Sequence, residues 1–488
     1  MSVDRGPRLS TLLRMAVTGS RADGLRIVLT ALGSAAATVA LLLAAAVVSI
    51  GPGDGPYRLN LLNESGLRGG VITAMLLVCV PVLAFVGQCS RIGAPARDRR
   101  LAAFRMAGGT PSDVRRVVAL ESFVASGVGS VIGGAAYVVL HVFFSGLGPA
   151  RVGHGEFGEK IVHPPARVLP ADVIPPLWLI VLCLAAVPVG ALVGSRIALR
   201  RTAITPFGVL RRVAHRPPAV APAILFAVGV LGLVLWSTLV SFLSGDGGVS
   251  GWGFLAMPVL VLLAGLGLIF GSASCAYLLG RFIGSRTRRP ALLIAARRMV
   301  DAPFTASRVS SAVVLAVLIG AGAQGVRANF MTSVGGKAGD ETERDGFFTD
   351  SFNAVNAMLV IAVVIAVAGL LVVAAEGVVT RRRTLAALTA VGVPRRTLAV
   401  ATVLETVLPL VPTVLVATGT GLLAARGVFG TTAYVSGSPE GREVGVPVPW
   451  SDLAVLAGGT LLLATAVTAV SLVFLRRSTS ITELRAAA

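Results

Sequence analysis

The sequence predicts an all-α integral membrane protein, with ten transmembrane helices in a parallel 4+2+4 repeat about a pseudo-twofold axis along the membrane normal. Three observations predict it. The 488-residue chain is 55% hydrophobic and only 14% charged, and its apolar residues are gathered in long blocks. So few charges could not solvate the surface of a soluble protein of this length. Basic residues collect in alternate loops, and one basic segment recurs without a gap 284 residues further along.

A bilayer-crossing helix needs about 20 mostly apolar residues. Ten stretches qualify: 27–50, 69–89, 117–145, 176–195, 219–243, 253–278, 308–326, 353–375, 397–425 and 452–475. The first exceeds the apolar core of a signal peptide, about 7–15 residues, and reads as a retained helix. With the N-terminus inside, the inner segments hold 33 of the 43 basic residues, and the outer loops hold 10, including Lys160 and Lys337. Acidic residues divide the other way, 14 outside and 9 inside, so the net +20 separates into +24 inside and −4 outside. Every loop then follows the positive-inside rule, which places both termini in the cytoplasm. Topology and lipid headgroups account for the positive charge, which argues against nucleic acid as a partner. Cys79, Cys89, Cys183 and Cys275 fall in or beside apolar blocks and suggest neither a disulfide framework nor a metal knuckle.

The repeat pairs "RRLAAFRMAGGTPSDVRRVVALES" (Arg99–Ser122) with "RTLAALTAVGVPRRTLAVATVLET" (Arg383–Thr406). Identities fall at Arg99/Arg383, Leu101/Leu385, Ala102/Ala386, Ala103/Ala387, Gly108/Gly392, Leu120/Leu404 and Glu121/Glu405. The copies follow the second and eighth spans, an even number of crossings apart, so both face the same side. Spans one to four form one unit, seven to ten the other, and five and six link them, giving domains of 1–213, 214–285 and 286–488. A second echo, "RTAITP" (Arg201–Pro206) and "STSITE" (Ser478–Glu483), falls after the last span of each unit.

Within each copy, Leu101 and Phe104, or Leu385, Leu388 and Val391, are spaced to make an apolar stripe on a short surface helix. Arginines precede it: Arg97, Arg99 and Arg100 in one copy, Arg381, Arg382 and Arg383 in the other. Gly108-Gly109 and Gly392 end the short helix, because glycine readily takes the left-handed conformation beyond a helix C-terminus. Thr110, Pro111 and Asp113 then restart a helix as N-cap, first residue and capping-box acid. In the second copy Val393 precedes Pro394, a poorer cap. From Pro111 to Phe144 the helix would run roughly 50 Å, longer than a bilayer core is thick. Glu121 and Glu405 sit near where these long helices reach the membrane, where a carboxylate needs a basic partner or an interior position. A structural salt bridge at the lever base is the favoured role, ahead of proton or substrate handling.

A phosphate-binding Walker loop needs a lysine followed by Ser or Thr. Lys160 and Lys337 are followed by Ile161 and Ala338, so ATP hydrolysis is not expected of this chain. His154, Glu156, Glu159 and His163 share an outer loop without metal-motif spacing, and neither His141 nor His215 has a catalytic partner in the pattern. Gly129 and Gly133, and Gly419 and Gly421, have the spacing of tight helix packing.

The arginine cluster, short apolar helix, glycine turn and long helix with an early glutamate resemble the FtsX-like permeases of ABC transporters, the superfamily that includes MacB-type and lipoprotein-releasing systems. Two such units joined by two further helices are similar to the ten-helix permeases of the bacitracin-efflux type. The resemblance implies coupling helices seated on a separate cytoplasmic ABC ATPase, one subunit per half, through Arg99, Leu101, Phe104, Gly108, Arg383, Leu385, Leu388 and Gly392. ATP and magnesium would be bound by that ATPase, and this chain would hold no cofactor or metal and be no enzyme. It implies a multi-pass permease in a bacterial plasma membrane, in contact with its lipids, exporting or extracting a hydrophobic or amphipathic compound. The alternative it allows is a mechanotransmitting subunit that borrows ATPase motion to control an enzyme or sensor. The large extracellular domain of those relatives is missing: the corresponding loops, Gly51–Arg68 and Arg327–Ser351, are too short to fold alone.

The topology has a direct check. Reporter fusions after Lys160 and Lys337 should report the outside, and a fusion after Arg288 the cytoplasm. The reverse pattern at any one of them breaks the assignment.

Overall fold

The computed structural model describes residues 21–51, 110–145, 151–154, 160–163, 172–199, 221–236, 251–334, 341–434 and 443–472, with isolated positions between 57 and 106 and at 170. Among these, eight helices are long and apolar enough to cross a membrane, and Ala221–Val234 is a shorter apolar one. The chain is an all-α integral membrane protein. The stretch expected as the second span, 69–89, lies largely outside the described residues, and its described positions are helical.

The chain divides into two compact units, Met1–Val213 and Ala214–Ala488. The first contains α1 (Arg21–Val48), α2 (Pro111–Ser145), a ribbon of β1 (Arg151–His154) and β2 (Lys160–His163), and α3 (Leu177–Leu199). The second opens with α4 (Ala221–Val234), α5 (Gly251–Arg286) and the short α6 (Pro290–Asp301). It continues with α7 (Pro303–Val334), α8 (Glu341–Thr380), the short α9 (Arg382–Ala390) and α10 (Arg395–Phe429). A ribbon of β3 (Thr432–Tyr434) and β4 (Glu443–Gly445) then leads to α11 (Trp450–Ser471). The helices expected as a linking pair, α4 and α5, pack on each other, and α5 packs against α6, α7 and α10 of the second unit.

The repeat extends to the architecture. Helices α2 and α10 are both 35 residues long, and their first and last residues are each 284 positions apart, the spacing of the sequence repeat. At 1.5 Å per residue each is a rod of about 52 Å. Each is followed by a two-stranded antiparallel ribbon and then a membrane helix.

Their starts differ as the sequences do. In α2, the Asp113 N–H donates to Thr110 Oγ1 at 3.3 Å and the Thr110 N–H donates to the Asp113 carboxylate at 3.1 Å. This reciprocal pair closes the predicted capping box, with Pro111 at the first helical position. α10 starts after Pro394 with no side-chain cap.

In each unit the rod packs against another long helix at near backbone contact, α2 against α1 and α10 against α7. A Cβ at Gly129 of α2 would collide with the Ala31 carbonyl of α1, and one at Gly133 would lie 2.6 Å from the Ala35 carbonyl. Thr38 and Ser130 share a 3.0 Å hydrogen bond across that seam. In the second unit Gly421 of α10 abuts the Leu318 carbonyl of α7, whereas Gly419 faces open space. Only one of the two predicted packing glycines in α10 therefore packs.

Hydropathy gave a loop at 327–351, and the structure corrects it. α7 continues to Val334 and α8 begins at Glu341. Phe330 meets Phe352 and Phe429 at ring-centroid distances of 6.3 and 5.8 Å. These aromatic contacts hold the polar extension of α7 against its neighbours, which a window tuned to the bilayer does not register. In the first ribbon His154 pairs with Lys160 and His163 with Arg151, three register steps apart.

Valine at Gly129 should force α2 away from α1, and valine at Gly421 should force α10 away from α7, each at a cost of about 1–3 kcal/mol. The expected result is a lower melting temperature in detergent for both. Gly419→Ala is the control, and an equal loss there would contradict the contact.

Candidate coupling site

The second repeat segment folds as the short helix α9, clasped at both ends. At its C-terminus Gly392 has φ +96°, its N–H donates to the Thr389 carbonyl at 3.1 Å, and the Val393 N–H donates to the Leu388 carbonyl at 3.0 Å. These two bonds define a Schellman motif, which needs a residue tolerant of the left-handed region at the glycine position. Along the helix the predicted stripe faces inward. Leu385 is 2% exposed and clusters with Val378 of α8 and Leu398 of α10, with Ile294 of α6, Leu388 and Val393 packed around them.

This burial changes what the stripe can do. Leu385 and Leu388 seat the helix on the body of the unit, and Leu385 does not present itself to a partner. The exposed side carries Thr384, Ala387, Ala390, Val391 and Gly392, and Val391 is 84% exposed. Arg383 is the second residue of α9.

At the N-terminus of α9 stands Arg381, and its partner answers the question raised by Glu405. Arg381 Nη1 donates to Glu405 Oε1 at 2.7 Å, and Arg298 Nη1 of α6 donates to Glu405 Oε2 at 3.4 Å. One carboxylate thus joins the α8–α9 turn, α6 and the base of α10. The Glu405 side chain is 15% exposed, Arg298 17% and Arg381 31%. A partly dehydrated carboxylate shared by two guanidinium groups is held more firmly than an open surface pair, because less water competes for each oxygen. Leu398 and Glu405 lie seven residues apart on one face of α10, so the same face meets α9 through apolar packing and through the ion pair.

The first unit shows the matching face on its rod. Val114 and Glu121, equivalent to Leu398 and Glu405 at the repeat spacing, are both 3% exposed, and Glu121 too has a polar partner. Arg99, Leu101, Phe104 and Gly108 lie outside the described residues. Ala103 and Met106, whose equivalents are Ala387 and Ala390, are helical and exposed, as those are.

Sequence reasoning found Glu405 and its class of partner but not the partners themselves. A signal was present. Arg298-Met299 repeats Arg14-Met15, and Arg381 repeats Arg97, at the 284-residue spacing that relates Glu405 to Glu121. All three members of the clamp therefore occur twice in the chain.

A single chain that repeats a rod, its basal carboxylate, a ribbon beyond the rod's far end and a closing membrane helix is a duplicated polytopic membrane protein. It belongs to the FtsX-like permease family: the profile described as FtsX-like permease C-terminal matches twice, over residues 69–206 and 356–480, together more than half of the chain. The two matches cover the two rods and their neighbours, and the family makes the chain a membrane permease component of an ABC-type system, a non-catalytic subunit. A search of curated proteins finds no match to the chain.

The clamp is tested by a double-mutant cycle on Glu405→Gln and Arg381→Gln. The expected coupling is about 0.5–1 kcal/mol, as fits a pair with one partner a third exposed. Additive losses in thermal stability would show that the two groups do not act together.

Proposed function

We propose that the end of the second unit bearing α9 faces the cytoplasm and seats a separate ABC ATPase. The segment Arg99–Gly108 would serve a second ATPase copy, and both chain termini would lie on that side of a bacterial plasma membrane. ATP and magnesium belong to the ATPase. The observation that carries this reading is the division of α9 into two faces. A buried face bolts it through Leu385 and Arg381 to the base of a long rod, while an outer ridge of Ala387, Ala390 and Val391 is left to meet a partner. An exposed valine at the tip of a firmly seated helix is a contact point, and small alanines beside it allow close approach.

On this reading, closure of the ATPases displaces α9, and the clamp carries the displacement into α10. The work done is export or extraction of a hydrophobic or amphipathic compound, such as a lipid, drug or peptide. The described outer parts are two short ribbons and the helical extensions of α7 and α8, so a compound arriving from the bilayer suits them better than one held by a large outer domain.

Co-expression with a candidate ATPase and purification through this chain should recover the ATPase at two copies per permease. Val391→Asp should abolish recovery and leave the melting temperature unchanged. Leu385→Ala should instead destabilise the chain by about 2–5 kcal/mol, as for a buried leucine. Full ATPase recovery with Val391→Asp and Ala387→Asp combined would overturn the assignment of the contact face.

A further inference from the structure

The junction of α5 and α6 has a surface that the coupling reading does not use. Leu278, Phe282 and Arg286 lie four residues apart along one face of α5, and the first two are 63% and 54% exposed. The face passes from aliphatic to aromatic to cationic, and the Arg286 guanidinium lies 4.2 Å over the Phe282 ring. That order marks where a helix leaves hydrocarbon and meets headgroups. Beyond it Arg288 and Arg289 are exposed in the turn, and Arg297 is exposed on α6. Among these arginines stand two exposed apolar side chains, Leu293 at 37% and Phe304 at 49%. Between residues 251 and 301 the sequence has six arginines and one acidic residue, Asp301.

The remaining face of α6 is committed. Ala295, Ala296 and Met299 are buried, and a Cβ at Gly280 of α5 would lie 2.7 Å from the Ala296 carbonyl, so the two helices pack without room for anything between them. Arg298, one residue beyond the exposed Arg297, is the second guanidinium on Glu405.

We propose that Arg286, Arg288, Arg289 and Arg297, with Phe282 and Leu293, form a docking surface for the headgroups of anionic phospholipids in the inner leaflet. The leaflet follows from the cytoplasmic placement proposed above. Clustered arginines immediately beyond a membrane helix and on a short amphipathic helix attract anionic headgroups, and neighbouring apolar side chains insert beside the acyl chains. An acidic protein surface would complement the charge but not the exposed phenylalanine and leucine, nor the gradient along α5 that places the arginines at membrane depth. Because α6 also holds Glu405, lipid bound there would fix one of the two guanidinium groups of the clamp.

The test uses the whole chain in nanodiscs of phosphatidylcholine with a minor fraction of phosphatidylglycerol, which offer both lipids to both faces and need no ATPase. It therefore reads lipid docking independently of sidedness and of coupling. Mass spectrometry of lipids retained after mild delipidation should show phosphatidylglycerol enriched over phosphatidylcholine, with the enrichment falling as salt rises. Arg288→Gln with Arg289→Gln should lower the enrichment by about 25-fold, from roughly fivefold per arginine. Arg288→Lys with Arg289→Lys should keep it. Unchanged enrichment in the glutamine variant overturns the proposal. So does a glutamine variant that binds lipid normally but no longer recovers the ATPase, since the surface would then belong to the protein partner.

Discussion

The second unit depends on one shared carboxylate. Glu405 offers one oxygen to Arg381 and the other to Arg298, and in doing so fixes α9, α6 and the base of α10 to one point. The arrangement responds unequally to loss. Without either arginine a neutral ion pair remains, and two of the three elements stay joined. Without Glu405 two guanidinium groups are left close together with no anion between them, so repulsion replaces attraction at the junction. The carboxylate is the member whose loss costs the junction most.

The repeat is closest where mechanics would require it and looser elsewhere. The two rods agree in length and register, and the basal glutamate and both arginine positions recur at one spacing. Fine structure differs. α2 begins with a complete capping box, while α10 has none and instead contains Pro409 and Pro412. Proline has no N–H, so Pro409 leaves the carbonyl of Glu405 without its helical donor, and Pro412 does the same to Leu408. Thr413 donates its hydroxyl to the Pro409 carbonyl at 2.9 Å, a bond within the same turn that does not replace those missing. Above its clamp, α10 is therefore softer than α2, which has Ala125 and Val128 at the equivalent places. The two halves have the same parts with different stiffness.

Much of this was legible in the sequence because membrane helices and caps obey local rules. Apolar length gave eight of the ten expected spans as long helices among the described residues, the Thr110–Asp113 spacing gave the capping box, and Gly392 gave the left-handed turn. What failed was direction. An apolar stripe at Leu385 and Leu388 looks the same whether it meets a partner or the protein's own body, and only packing against Leu398 and Val378 decides between them. The Arg298 contact was hidden because 107 residues separate it from Glu405. The helical continuation of α7 was hidden because its residues are polar and are held by aromatic contacts from other helices.

The glycine seams decide how a push at α9 would travel. Backbone contact between α7 and α10 at Gly421 leaves no side-chain layer to shear, so the two helices can shift only together. The ribbon is tied to α10, and the ends of α10 and α7 are tied to each other. Arg426 of α10 donates to the Val446 carbonyl just after β4 at 3.2 Å, and Asn329 of α7 donates to the Phe429 carbonyl at 3.3 Å. A rod of about 52 Å tilted by about 5° moves its far end by roughly 4–5 Å. A displacement of that size at the base, delivered through Glu405, would reach the ribbon without any element in between having to unfold or slide. The clamp supplies the grip and the glycine seam removes the slack, so a tilt of the second rod as one piece carries motion from its base to its ribbon. The hydrogen bonds missing at Pro409 and Pro412 set where that rod would yield first under load, a point the first rod lacks.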